Sequence, residues 1–514
     1  MSGHLFVVHG DLRTLRCDHW LFPVDAGLSA SRSWNRTATW ERIRDHLPAR
    51  LTLADRVAEV PWEGERRPWP THVASGSKVE ETWQAVSARQ FLERAHAAGP
   101  TLADRDRPLL ALPVVGTGFG GKRRRAGAVL RALVPELFDF VAHHDADVAL
   151  VTWTEEDFAA AQAARRAARQ DTGVDPWAEL RSELQAEART LARQAARDRL
   201  VVFLGAGVSA GAGLPTWAEL LDRLAVEAGF TAAEREGLAR LGHLDRAQLL
   251  ALRLGSDPAA LGRAVSRCLD VGDTTALSHA LLAGLPVREF ITTNYDDCFE
   301  RACDAVNNPV ARLPYAPASG SRRWLLKMHG CVSAPQDIVL TRRDYVRYAE
   351  RNAALAGIVQ AMLITRHMLF VGFSLDDDNF HRIVDAVRRA LVGADRDRLG
   401  SAVSLFPNPL VEQLWSDDLD WFHLAEDGGS TVAAEARRFE IFLDCVSAHA
   451  TAPHHLLDPR FTAVLTPRER ALAEALRPLR AWLASEPRPD EDDPAATAWA
   501  MIDDLLDALG NPPP

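Results

Sequence analysis

The sequence predicts an α/β protein built as two α/β domains, the second with a helical insertion and followed by a helical C-terminal tail. Three observations carry this. At 514 residues the chain exceeds what one ordinary core accommodates, so two or three domains are expected. Short apolar runs alternate with helical stretches in two separate zones, the pattern of mainly parallel sheets with crossover helices. One of those runs, Val201–Leu204, enters the small-residue turn Gly205-Ala206-Gly207, and a helical pattern opens near Trp217. Strand, glycine turn, helix is an arrangement that brings backbone N–H groups and a helix N-terminus up to a phosphate.

Residues 1–153 form the first zone, with strand-like runs at Leu5–Val8, Trp20–Val24, Leu109–Val115 and Val148–Trp153. Residues 154–199 are rich in Ala, Arg, Glu and Gln and predict two helices around a break at Asp171–Pro176. The first is expected as a helical linker (154–176); the second, from about Trp177 to Ala196, leads into the Leu200 strand. The second domain, 177–448, has strand candidates at Leu200–Leu204, Glu289–Thr293, Arg323–Met328, Met368–Phe373 and Ser401–Phe406, with a mostly helical insertion over 218–285. The tail, 449–514, is punctuated by prolines and contains an amphipathic helix over Thr466–Ser485.

Composition excludes several classes. The net charge of −11 argues against a general nucleic-acid binder, although Lys122–Arg125 is a local basic run. Lysine occurs only at positions 78, 122 and 327, so nearly all positive charge is arginine, and the Ala/Arg bias suggests a GC-rich bacterial genome. The six cysteines, Cys17, Cys268, Cys298, Cys303, Cys331 and Cys445, form no Cys-x-x-Cys pair, so no zinc ribbon is expected and a reducing compartment fits. Neither a signal pattern nor an apolar run of spanning length occurs, and a cytoplasmic location is expected.

Four segments of the second domain carry the chemistry: the glycine turn; Phe290-Ile-Thr-Thr-Asn-Tyr-Asp296; Leu325-Leu-Lys-Met-His-Gly330; and Met368-Leu-Phe-Val-Gly-Phe-Ser-Leu-Asp376. Each is an apolar strand that ends in polar or small residues, and strand carboxyl ends face the ligand crevice of an open α/β sheet. Each also has a plainer reading. The glycines suit any tight turn, Asn294 or Asp296 suits a helix cap, a lone histidine is commonly structural, and Gly372–Ser374 suits an ordinary turn.

In this order the segments resemble the sirtuin (SIR2) family, through GAGVSAGAGLPTW at 205–217, TTNYD at 292–296, MHG at 328–330 and GFS at 372–374. The resemblance implies a Rossmann-like NAD-binding domain with a helical module. Its departures indicate a branch. The Cys-x-x-Cys module of the protein deacetylases is missing, Thr216-Trp217-Ala218 follows Pro215 where Asp-Phe-Arg is usual, and Thr293-Asn294-Tyr295-Asp296 stands where Gln-Asn-Ile-Asp is usual. The pattern is more similar to the zinc-free branch found in bacterial anti-phage proteins, whose members hydrolyse NAD+.

By this resemblance Gly205, Ala206, Gly207 and Ser209 bind the diphosphate, with Pro215, Thr216 and Trp217 completing that loop. Asp296 holds the carboxamide, Asn294 orients ribose or water, and His329 is the general base. Gly372, Phe373 and Ser374 meet the adenosine half. NAD+ is then substrate, no metal is required, and assembly into a homo-oligomer is implied, with a phage trigger or protein partner left open. A protein deacylase, an ADP-ribosyltransferase and a non-catalytic nucleotide-binding adaptor are the alternatives.

In the first domain, Leu5–His9 is followed by Gly10-Asp11, and Leu109–Val115 enters Gly116-Thr-Gly-Phe-Gly-Gly121, a loop suited to an anion nest. This looks like a macro domain, although Pro23-Val-Asp-Ala26 stands where that family has Asn-Ala-Asn. The resemblance implies that Asp11 contacts adenine and that Gly116, Thr117, Gly118 and Gly120 contact the diphosphate of an ADP-ribose-like signal, which would gate the second domain.

Overall fold

A computed structural model describes residues 2–25, 28–30, 34, 38–48, 56–73, 82–116, 125–255, 257–392, 398–426, 429–490 and 492–510. The chain divides into two compact units. One comprises Met1–Arg13, Cys17–Glu179 and Thr451–Pro514; the other comprises Thr14–Arg16 and Leu180–Ala450.

Among the described residues, the sheet of the first unit has five strands: β1 (Leu5–His9), β2 (His19–Val24), β3 (Arg67–His72), β4 (Leu109–Pro113) and β5 (Asp147–Thr152). Their order is β1-β5-β4-β2-β3, and every pair is parallel. Parallel strands need crossovers, and the helices Thr82–Ala97 and Ala126–His143 lie between β3 and β4 and between β4 and β5. Phe91, Leu130, Leu137 and Phe140 from these helices pack with Val7, Leu112 and Leu150 of the sheet. β3 escapes a sequence reading because it is Arg-Pro-Trp-Pro-Thr-His. Two prolines are tolerated at a sheet edge, where β3 lies, and Trp69 between them is 1% exposed and donates its indole N–H to His19 Nδ1 at 3.1 Å.

The stretch expected as a linker contains the helix Glu155–Thr172, whose Phe158, Ala160, Ala161, Ala164 and Ala168 enter this same core. From the expected tail, Phe461 and Val464 do so too. Both stretches therefore pack within the first unit, because their apolar faces are covered by its sheet and helices. The tail helix runs Pro467–Ser485 and a second follows at Ala496–Ala508.

The second unit has β6 (Leu200–Leu204), β7 (Glu289–Thr292), β8 (Ala311–Leu313), β9 (Trp324–Lys327), β10 (His367–Val371), β11 (Gly400–Ser404) and β12 (Leu419–His423). The order is β12-β11-β10-β6-β7-β9-β8, again with every pair parallel. The sheet is Rossmann-like, as expected. From β6 the chain adds β7, passes to the edge strand β8, returns to fill β9 between them, and then places β10 on the other side of β6. The order reverses at β6, and the crevice outside the carboxyl ends of β6, β7 and β10 is the switch point where such sheets bind ligands.

Between β6 and β7 lies the expected helical insertion, with helices Trp217–Glu227, Ala232–Ala239, His243–Leu254, Ala260–Cys268 and Leu277–Ala283. Leu220, Leu221, Leu224, Ala264 and Val265 form its core together with Tyr295, Cys298 and Leu340. Among the described residues, no helix is long and apolar enough to cross a membrane.

Candidate active site

Strand register sets the site before any side chain is considered. Leu204 pairs with Thr292 and Val371, and Thr292 pairs with Lys327. The residues that follow, Gly205, Thr293, Met328 and Gly372, therefore stand level at the carboxyl edge of the sheet. One position further lie Ala206, Asn294, His329 and Phe373. The sheet brings all four sequence motifs to one edge.

The glycine turn and the β10 turn are locked together. Gly205 N–H donates to Val371 O and Gly207 N–H to Gly372 O, both at 2.9 Å. A Cβ on Gly205 would lie 2.3 Å from Gly372 O, and one on Gly372, at φ +62°, would lie 2.6 Å from Val208 N. Close approach of two backbones thus accounts for these glycines without a ligand, and it occupies two of the N–H groups that the sequence offers to a diphosphate. Ala206 and Gly207 are exposed, as is Ser374. Phe373 turns inward, its ring 4.5 Å from that of Phe203. Thr216 caps the helix that begins at Trp217: it accepts from Glu219 N–H, while Glu219 Oε2 accepts from Thr216 N–H at 2.8 Å. The Trp217 ring meets the edge of Tyr295, and Pro215 is half-buried between these elements.

Asn294 donates through Nδ2 to Gly205 O at 3.0 Å and to Ser209 Oγ at 3.4 Å, tying the end of β7 to the glycine turn. Ser209, 2% exposed, is the hub of a buried chain of hydrogen bonds. Its hydroxyl donates to Asp296 Oδ2 at 3.1 Å and lies 3.2 Å from His279 Nε2. Ala276 N–H donates to His279 Nδ1 at 3.2 Å, which leaves the proton on Nε2 to be donated to Ser209. The order His279, Ser209, Asp296 is not that of a nucleophilic serine, because the imidazole donates to the hydroxyl instead of accepting its proton. Ser209 is a fixed bridge that aims Asp296. The other oxygen of Asp296 accepts from Cys298 N–H at 3.1 Å at the start of the helix Cys298–Ala305, whose N-cap residue is Asp297.

Beneath them lies a buried ion pair. Lys327, the residue before Met328-His329, is 1% exposed, sits 3.1 Å from Glu300 and donates to Asp296 O at 2.5 Å. Burial opposes the Lys327 charge, but Glu300, Cys331 and Asp296 outweigh it and hold the ammonium above its ordinary range. A small cavity is lined by Ser209, His279, Asn294, Asp296, Glu300 and Lys327 among others.

His279, Lys327 and Glu300 were not singled out by the sequence. His279 is fully buried, and burial lowers its pKa to about 4 against the pull of Asp296. The unfolded chain protonates this ring near 6.5, so between about pH 6.5 and 4 it binds more protons than the folded one. His279 therefore contributes stability that is complete above pH 6.5 and falls away as the pH drops through that window, by about 3 kcal/mol at ~1.4 kcal/mol per pH unit. Chemical denaturation of His279→Gln across this range is expected to give a flatter pH dependence than wild type; an identical slope contradicts the assignment.

His329 stands apart from this cluster. It is 1% exposed, and neither ring nitrogen has a hydrogen-bond partner. The edges of Tyr345 and Tyr348 approach it, with ring centroids at 5.5 and 5.8 Å, and its Nε2 is 3.6 Å from Asp377 Oδ2. Register places it level with Asn294, but the structure makes no hydrogen bond between it and Asn294, Asp296 or Ser209.

In the first unit, Asp11 accepts from Arg13 N–H at 2.8 Å and forms an ion pair with its guanidinium at 2.5 Å. Gly116 is at φ +84°, and a Cβ there would meet Gln84 Nε2 at 2.8 Å. Gln84 is 1% exposed, and neither amide atom has a partner. Thr117, Gly118 and Gly120, and Lys122 to Arg124 of the basic run, lie outside the described residues. Among the described residues, no group of three or more His, Cys, Asp or Glu is placed to hold a metal ion.

Residues 288–416 match a family model described as a SIR2-like domain. The NAD(+) hydrolase ThsA of Enterococcus faecium is 31% identical over 198 residues, 37% of this chain and 40% of that protein. The ThsA of Bacillus cereus (strain MSX-D12) is 30% identical over 203 residues, 38% of this chain and 40% of its own length. Defense-associated sirtuin 2 of Bacillus subtilis is 24% identical over 197 residues, 37% of this chain and 19% of that protein. The chain thus spans about two-fifths of the length of the hydrolases it matches. Asn294, Asp296, His329 and Gly372–Ser374 all lie inside the residues that match the SIR2-like domain model.

Proposed function

We propose that the second unit hydrolyses NAD+ at the bond between ribose C1′ and nicotinamide, as an effector of anti-phage defence. The single observation that carries this reading is the convergence of Gly205–Gly207, Asn294, His329 and Gly372–Ser374 at the switch point of one parallel sheet. Similarity to proteins named NAD(+) hydrolase and to a defence-associated sirtuin supports it.

In this reading the exposed Ala206, Gly207 and Ser374 border the diphosphate and adenosine half. Asp296, aimed by Ser209, accepts from the nicotinamide carboxamide. Asn294 positions ribose and the attacking water. Water adds to C1′ as the C1′–N bond breaks, the bonding electrons pass to the nicotinamide ring and neutralise its charge, and His329 takes the proton of the water. The products are nicotinamide and ADP-ribose.

The test is incubation of the purified protein with NAD+, with and without lysate from phage-infected cells, and identification of products by mass. Nicotinamide and ADP-ribose in equal amounts are expected. Consumption of NAD+ only when an acyl-lysine peptide is present supports the deacylase alternative instead. Gating by an ADP-ribose-like signal at the first unit is a second reading, favoured by the unpartnered amide of Gln84 beside Gly116. The same assay titrated with ADP-ribose checks it, and an unchanged rate removes it.

A further inference from the structure

Asp377, whose carboxylate lies 3.6 Å from His329 Nε2, has no role in the reading above. His329 lies in a closed pocket between the helix Arg342–Arg351, which supplies Tyr345 and Tyr348, and the turn that follows β10. A buried imidazole with both nitrogens unpartnered is costly, and such a group calls for a reason. Its Nε2 lies 3.6 Å from Asp377 Oδ2.

Asp377 is held rigidly. Its Oδ1 accepts from Phe380 N–H at 2.9 Å, as the cap of the helix Asp378–Ala390. Its Oδ2 accepts from Tyr345 O–H at 2.7 Å. Two residues earlier, Leu375 adopts φ +58° although it is 2% exposed. A leucine keeps that left-handed conformation only where its surroundings enforce it, and here it sets the turn that delivers Asp377 to the pocket.

We propose that Asp377 is the positioning residue for His329: its carboxylate, braced by Tyr345, holds the ring with the proton on Nε2 and leaves the Nδ1 lone pair for the substrate side. When Nδ1 takes a proton from the attacking water, the imidazolium gains a full charge facing the carboxylate, and the hydroxide equivalent goes to C1′. The proposal rests on the reading of His329 as general base. The titratable groups that face the ring from the packed elements are Asp377, Tyr345 and Tyr348; Lys327, on its own strand, is turned to Glu300 and Asp296 O. Burial lowers the His329 pKa, and Asp377 opposes that shift. Loss of the Asp377 charge must therefore move His329 titration to lower pH.

The test compares wild type, Asp377→Asn, Tyr345→Phe and His329→Ala in the full chain. Asparagine keeps the size and capping ability of Asp377. Its kcat for NAD+ is expected to fall by about 10²-fold or more, inside the 10²–10⁴ that a positioned base contributes. KM is expected to stay within about twofold, as for a group that acts only in the transition state. The acid limb of the pH profile moves to lower pH, whereas Tyr345→Phe, which keeps the Asp377 charge and removes only its brace, lowers kcat less without that downward shift. Unchanged kcat and an unchanged acid limb in Asp377→Asn, with His329→Ala inactive, overturn this proposal alone. Full turnover in His329→Ala overturns it together with the reading of His329 as base. NMR titration of the His329 ring, assigned by its loss in His329→Ala, reads the same pair without turnover. A lower pKa in Asp377→Asn supports the coupling, and an equal pKa overturns it.

Discussion

Asn294→Ala and His329→Ala are each expected to abolish NAD+ consumption while the protein stays folded. The losses differ in origin. Without His329 no group at this sheet edge takes the proton of the attacking water, a loss of about 10²–10⁴-fold. Without Asn294 the amide that links β7 to the glycine turn is gone, so water and ribose lose their common reference point. Misplacement at this scale costs on the order of 10²-fold. Asn294 is half-buried and its Nδ2 bonds join one backbone oxygen and one hydroxyl, so alanine removes contacts without stranding a charge. Nicotinamide release measured beside thermal unfolding checks both variants. Full activity in both removes the assignment, whereas loss of activity with early melting in both would assign these residues to the fold.

Among the glycines of the two locked turns, the largest stability effect belongs to Gly205. A methyl group there meets Gly372 O at 2.3 Å and Phe373 Cα at 2.4 Å, both backbone atoms that move only if β10 shifts against β6. Gly205→Ala is expected to destabilise the second unit by about 3 kcal/mol or more, the upper range for overpacking. Gly207→Ala, whose Cβ would lie 2.9 Å from Gly372 Cα, is expected to cost less. Gly357, inside the helix Ala353–Thr365 with nothing within 4 Å, provides the control. Alanine there is expected to stabilise by about 0.5–1 kcal/mol. Chemical denaturation ranks the three. If Gly205→Ala is as stable as wild type, the locking of the two turns is not what requires glycine, and the turn's role lies with a ligand alone.

The strands that the sequence reveals and those it hides differ for one physical reason. β1, β2, β4, β5, β6, β7, β9, β10 and β11 carry the apolar runs that burial within a parallel sheet demands, β1 included, which is fully buried although it lies at a sheet edge. β3, β8 and β12 do not, and all three lie at sheet edges. There β3 keeps its prolines, β8 is three half-buried residues, and β12 mixes Asp420 and His423 with its aromatics. The membership of Glu155–Thr172 and of Phe461 and Val464 in the first core is a matter of long-range packing, which local pattern does not encode.

At the site, the motif residues Asn294, Asp296 and His329 are legible because each follows an apolar run directly. His279 is hidden inside an ordinary helix, Leu277–Ala283, and is recognised only once Ser209 is seen to hold its Nε2. Asp377 stands among three consecutive aspartates, and nothing in the string separates it from Asp376 or Asp378 until Tyr345 and His329 are found beside it. The glycines of the turn were legible as glycines for a phosphate. The structure adds that Gly205, Gly207 and Gly372 serve each other first.

The most direct measurement of the central claim is nicotinamide release from NAD+ by the full chain and by Asn294→Ala, side by side, in the presence of lysate from phage-infected cells. The account predicts steady release by the first and none above background by the second, at equal stability. Equal release by both would contradict it.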